Sequence, residues 1–117
     1  MEIKEIANLA YETAKKRKLI HENTNIHACM ASISEEFIEA LIALENNDLR
    51  KITLAEYAEY KRQLDRYEKN EYEKTLKNCF ETELADMLIT ILSTSYHFKI
   101  DLERYIDLKL LYNDIRD

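Results

Sequence analysis

Apolar residues recur along this chain at intervals of three and four, and polar clusters interrupt them. Ile3, Ile6, Ala7, Ala10 and Ala14 form one such row and predict a first helix over about 2–19. The clusters His21-Glu22-Asn23-Thr24-Asn25, Glu45-Asn46-Asn47-Asp48, the stretch around Asn70, and Lys99-Ile100-Asp101 read as the turns between helices. Asn25 caps a second helix of about 26–44. Thr53-Leu54-Ala55-Glu56 is a capping box that opens a third, with Leu54, Tyr57, Ala58, Leu64 and Tyr67 along a stripe that predicts packing. A fourth long helix is expected over about 71–98, and Asp101 is placed as the cap of a last one that runs almost to the end.

Composition sharpens this reading. Within 117 residues there is neither glycine nor proline, so a Gly-rich phosphate loop and a dinucleotide-binding fingerprint are both excluded. Any phosphate must be met by side chains, a metal or a helix N-terminus. Charged residues at 34% and apolar ones at 46% suit amphipathic helices, giving an all-α expectation for a single domain over 1–117. The start, Met1-Glu2-Ile3-Lys4-Glu5, does not resemble a signal peptide, and the apolar stretch Ala85 to Leu92 is too short to span a bilayer, so a cytoplasmic protein is expected. Cys29 and Cys79 have no Cys-x-x-Cys or zinc-like spacing and are expected to be reduced and partly buried. A net charge of −6 disfavours a nucleic-acid partner and asks instead for a cation. The basic run Lys15-Lys16-Arg17-Lys18 suits the negative end of the first helix.

The chemistry is concentrated in Ser34-Glu35-Glu36-Phe37-Ile38-Glu39-Ala40-Leu41-Ile42-Ala43-Leu44. Glu35, Glu39 and Glu36 fall at about 0°, 40° and 100° around this helix, sharing their sector with Ile42 and Ala43. Acids placed among apolar residues are not ordinary amphipathicity. Glu83 and Asp86, three residues apart and flanked by Phe80, Met87, Ile89 and Ile91, repeat the pattern on the fourth helix. If the two pairs face one another, like charges about 6 Å apart cost roughly 3 kcal/mol per pair at an effective dielectric of about 20. Oxygen ligands without His or Cys select a hard ion such as Mg²⁺ or Mn²⁺, which keeps positions open for phosphate oxygens. The plainer alternative is a set of partly exposed acids in salt bridges with neighbouring helices. On the last helix Lys109, Asn113 and Arg116 recur at i, i+4 and i+7, a row that can grip phosphate or sugar and is also the usual make-up of a solvated face.

With these residues in place the sequence resembles the MazG-like nucleotide pyrophosphohydrolases, whose signature Glu-Glu-x-x-Glu followed by Glu-x-x-Asp is matched by Glu35-Glu36-Phe37-Ile38-Glu39 and Glu83-Leu84-Ala85-Asp86. The resemblance extends through Ile100-Asp101-Leu102-Glu103 and Lys109 to Arg116, and excludes the middle, where segment 47–70 is longer than in plainer members. It implies a four-helix-bundle type with an inserted helix, and hydrolysis of a nucleoside triphosphate to the monophosphate and pyrophosphate. Glu36, Glu39, Glu83 and Asp86 would ligate Mg²⁺, with Glu35 assisting as a further ligand or orienting the water. Lys109, Asn113 and Arg116 would clamp the triphosphate. The resemblance also implies a homodimer or dimer of dimers, for which the apolar excess on the second and fourth helices is the sequence's own, weaker sign.

Two rivals come from other classes. A di-iron or di-manganese carboxylate bundle characteristically uses Glu-x-x-His, and none of His21, His27 or His97 has a Glu three residues before it. A non-catalytic helical adaptor would keep the fold and show no tight response to divalent metal.

Overall fold

The computed structural model describes residues 2–116, and every regular element among them is helical. These are α1 (Ile3–Lys16), α2 (Ile26–Glu45), α3 (Leu54–Asp65), α4 (Asn70–Thr75), α5 (Phe80–His97) and α6 (Leu102–Ile115). No helix among the described residues is long and apolar enough to cross a membrane. The chain divides into two compact units, Met1–Ile33 with Leu88–Asp117, and Ser34–Met87.

Helix starts follow the expected chemistry in two cases. The Asn25 Oδ1 accepts from the Ala28 N–H at 2.9 Å, and Thr53 and Glu56 form the full capping box, each side chain taking the other's N–H at 3.1 Å. Asp101 does not behave as expected. It precedes α6, but its side chain makes no capping bond and is drawn to Arg104 Nε at 3.1 Å and Lys4 Nζ at 3.7 Å. Two cations compete with one backbone N–H for the same carboxylate, and the charge-assisted contacts prevail.

The ends of the helices are unusual because glycine is absent. α1, α2, α3 and α5 each stop in a left-handed residue, respectively Lys18 (φ 59°), Asn47 (φ 55°), Tyr67 (φ 62°) and Lys99 (φ 58°). Each is followed by a paired return to the last turn, such as Lys18 N–H to Lys15 O at 2.9 Å and Leu19 N–H to Ala14 O at 2.8 Å. This is the Schellman arrangement, made here by residues that carry a Cβ where glycine ordinarily stands. The basic run accordingly covers the last turn and cap of α1, with Lys15 also 3.8 Å from Glu12 and over the Tyr11 ring.

The expected helix over 71–98 is two helices. Between α4 and α5, Leu76 and Cys79 are both buried, and the Phe80 N–H leaves the helical ladder for Asp48 O at 2.7 Å. No residue in Leu76-Lys77-Asn78-Cys79 breaks a helix by itself, so burial and a long-range hydrogen bond override local propensity. The α3 stripe is a second correction. No α3 residue is buried, and Leu54 and Tyr57 face solvent, while Tyr67 lies beyond the helix as its left-handed stop. One contact between α3 and α4 is polar, the Tyr60 and Thr75 hydroxyls meeting at 2.7 Å.

Within the first unit, Ala7, Ala10, Ile20, Cys29 and Leu92 are buried, and His97 ties the chain together. Its Nε2 lies 2.9 Å from Thr24 O and its Nδ1 3.3 Å from the Tyr11 hydroxyl. The second unit buries Ala40, Ala43, Leu76, Cys79 and Glu83. Both cysteines are free, as expected.

Candidate metal centre

Glu83 is the unusual member of the second unit's core, a carboxylate only 6% exposed. It sits one turn into α5, where helical spacing brings Asp86 onto the adjoining surface. From α2 come Glu36, half-buried, and Glu39, exposed. One carboxylate oxygen from each of Glu36, Glu39 and Glu83 lies within 4.8 Å of the others. Three of the four expected ligands are thus brought together, and the half-buried Asp86 acts on both Glu36 and Glu83 through its charge.

Like charges this close repel by about 3 kcal/mol per pair at an effective dielectric of 20. In the absence of a cation, protons relieve the repulsion. Burial first, then the charges of Glu39 and Asp86, push the Glu36 carboxyl up to about 7. Burial and the hydrogen bond to Glu39 do the same to Glu83, also to about 7. Even so, the Glu36 Oε2 and Glu83 Oε2 are buried with no hydrogen-bond partner. A buried oxygen left without a donor costs about 1–3 kcal/mol, so the site stores free energy that a bound cation would release.

The donor set fits a hard divalent ion, because all of it is carboxylate oxygen and neither cysteine nor histidine enters the cluster. The orphaned oxygens of Glu36 and Glu83 supply the acceptors that such an ion would use. Glu35, beside Glu36 on α2, is exposed and contributes to the cluster through charge.

The row proposed on the last helix is shorter than expected. Lys109 and Asn113 are exposed residues of α6, but Arg116 is the residue after it, in extended backbone with its N–H on Tyr112 O. Lys109 places its ammonium over the Tyr112 ring at 5.0 Å. These residues belong to the first unit and the carboxylates to the second.

Sequence reasoning missed Glu81. Its carboxylate accepts from the Arg50 N–H at 2.9 Å and the Lys51 N–H at 2.7 Å, clipping the 48–51 loop to the start of α5. Those N–H groups, that of Lys51 foremost, hold the Glu81 carboxyl below its usual range. The N–H groups it holds belong to a loop 31 and 30 residues earlier in the chain, so no local pattern in the sequence marked it.

Comparison with models of protein families, with curated proteins and with solved structures gave no match for this chain.

Proposed function

We propose that this protein is a Mg²⁺-dependent nucleoside triphosphate pyrophosphohydrolase of the MazG-like kind, with segment 47–70 inserted between its two acidic motifs. The observation that carries the reading is the buried Glu83 carboxylate with an unpartnered oxygen, grouped with Glu36 and Glu39 inside a 4.8 Å cluster. Glu36, Glu39, Glu83 and Asp86 would hold the ion. When bound, a divalent ion supplies charge neutralisation of the phosphates and a favourable position for the attacking water.

The chain's own residues account for the rest. Glu83 and Glu36 must lose their protons for the ion to enter, and the push of their carboxyls to about 7 places that exchange near neutrality. Glu35, exposed beside Glu36 on α2, would add a further ligand or orient the attacking water. Lys109, Asn113 and Arg116 enter the reading through the resemblance alone, as triphosphate contacts.

The test is pyrophosphate release from a panel of ribo- and deoxyribonucleoside triphosphates in Mg²⁺, Mn²⁺ or EDTA. Metal-dependent release with the monophosphate as co-product is expected. Silence across the panel, with no thermal response to divalent metal, would favour the adaptor reading instead.

A further inference from the structure

α2 does not simply run out into a loop. Its last turn closes with the Asn47 N–H on Leu44 O and the Asp48 N–H on Ala43 O, both at 3.0 Å, so Asp48 moves with the helix. Asp48 O then accepts, at 2.7 Å, the N–H of Phe80, the first residue of α5. Two residues on, the Arg50 N–H reaches both oxygens of Glu81, at 2.9 and 3.1 Å, and the Lys51 N–H reaches one of them at 2.7 Å. Phe80 and Glu81, consecutive at the start of α5, are thereby both tied to segment 48–51.

The bond to Lys51 is made in a strained backbone. Lys51 has φ 32°, in the left-handed region that a residue with a Cβ enters at a cost. Such a conformation persists where its surroundings impose it, and here the charge-assisted bonds from two successive N–H groups to one carboxylate do so. The Arg50 side chain turns back to Asp48, Nε to Oδ1 at 3.0 Å, and folds the segment on itself.

Glu81 is near the carboxylate cluster without belonging to it. It lies about 160° from Glu83 around α5, and its oxygens are already engaged by the loop. Its influence travels along the helices instead. Glu39 stands one turn before Ala43, and Glu83 follows Phe80 within the first turn of α5, so the path Glu39, Ala43, Asp48, Phe80, Glu83 joins two arms of the cluster through helix turns and backbone hydrogen bonds. Any slip of α5 along α2 at this end changes the separation of those arms. Ligands must be held to within about 0.5 Å of their working positions. Mg²⁺ tolerates a slip least, because it demands octahedral geometry at about 2.0–2.1 Å, whereas Ca²⁺ accepts irregular shells at about 2.3–2.6 Å.

We infer that Glu81 is a positioning residue for the cluster: by clipping segment 48–51 to the start of α5 it sets the register in which Glu36 and Glu39 meet Glu83, and so favours Mg²⁺ over Ca²⁺. The inference rests on the reading of Glu36, Glu39 and Glu83 as a metal centre and adds to it a residue that touches no ion.

Calorimetric titration of the full chain with Mg²⁺, and separately with Ca²⁺, tests it in the parent, in Glu81→Gln and in Asp65→Asn. Asp65 is exposed at the end of α3, so its variant removes the same charge away from the clip and corrects for the general loss of attraction for cations. In Glu81→Gln the Mg²⁺ dissociation constant is expected to rise about tenfold or more, as when the outer partners of metal ligands are removed, and the Ca²⁺ constant by no more than about threefold. A Mg²⁺ constant for Glu81→Gln within about twofold of that for Asp65→Asn, or equal losses for the two ions, would overturn the positioning role and leave the metal centre standing. Mg²⁺ binding that is absent from the parent, or undiminished by Glu83→Gln, would instead remove the metal centre and the inference with it.

Discussion

Glu83 shows how one side chain can be costly to the fold and useful to the site. Its carboxyl is buried, hydrogen-bonded to Glu39, and still has an oxygen without a donor. An amide of the same shape carries no charge to desolvate, so Glu83→Gln should leave the metal-free protein as stable or more stable, with its thermal midpoint rising at pH 8. Glu39→Gln and Asp86→Asn should likewise abolish hydrolysis without destabilising the metal-free form. A clear drop in midpoint for any of the three would show that the acids are structural partners and sink the metal reading. At this scale the sequence was most legible: acids among apolar neighbours on two helices pointed to Glu36, Glu39, Glu83 and Asp86, and the first three of them meet. It was less legible at Asp101, whose carboxylate pairs with Arg104 at 3.1 Å and with Lys4, from the far end of the chain, at 3.7 Å where a capping bond was expected.

Among the elements, the cost of a glycine-free sequence is concentrated at helix ends. A left-handed residue with a Cβ is disfavoured by about 1–2 kcal/mol, and four helices stop in one. Tyr67 is the cleanest case because it is 94% exposed and its removal forfeits almost no packing. Tyr67→Gly should stabilise the protein by about 0.5–1 kcal/mol once the looser unfolded chain is set against the relieved strain. A urea midpoint that moves down would refute that account of the cap. The Glu81 clip makes a second element-level prediction. Glu81→Gln keeps one acceptor oxygen but loses the charge that Arg50 and Lys51 N–H groups share, so hydrogen exchange at those two amides should quicken, with α5 beyond Glu83 unchanged. The two elements that sequence reasoning misplaced share one cause. The α4 to α5 break depends on the burial of Leu76 and Cys79 and the exposed α3 stripe on the lack of cover over Leu54, and periodicity records only which residues share a face.

For the whole molecule, acids push stability in opposite directions with pH. Glu81 is held below its usual range, so its contribution is present above the ordinary carboxyl value of 4.5 and is lost as pH falls through its folded value. Glu36 and Glu83 are raised, so the folded state retains protons that the unfolded chain has released. Their contribution is complete below 4.5 and is lost as pH rises towards about 7. The net charge of −6 adds to the loss at higher pH, since every further ionisation adds repulsion to an already acidic chain. In EDTA the thermal midpoint should therefore peak near pH 5 and fall towards pH 8. A divalent ion reverses the argument at the cluster, because it favours the ionised carboxylates that the protein alone disfavours. Mg²⁺ should raise the stability, and with it the midpoint, little at pH 5, where protons occupy the site, and most at pH 8, where the stabilisation is about 2.7 kcal/mol at a hundredfold excess over its dissociation constant. Replacing Glu83 by Gln should flatten both the decline in EDTA and the gain with Mg²⁺. A metal response that is equal at pH 5 and pH 8, or that survives Glu83→Gln undiminished, would place the ion elsewhere on this acidic surface.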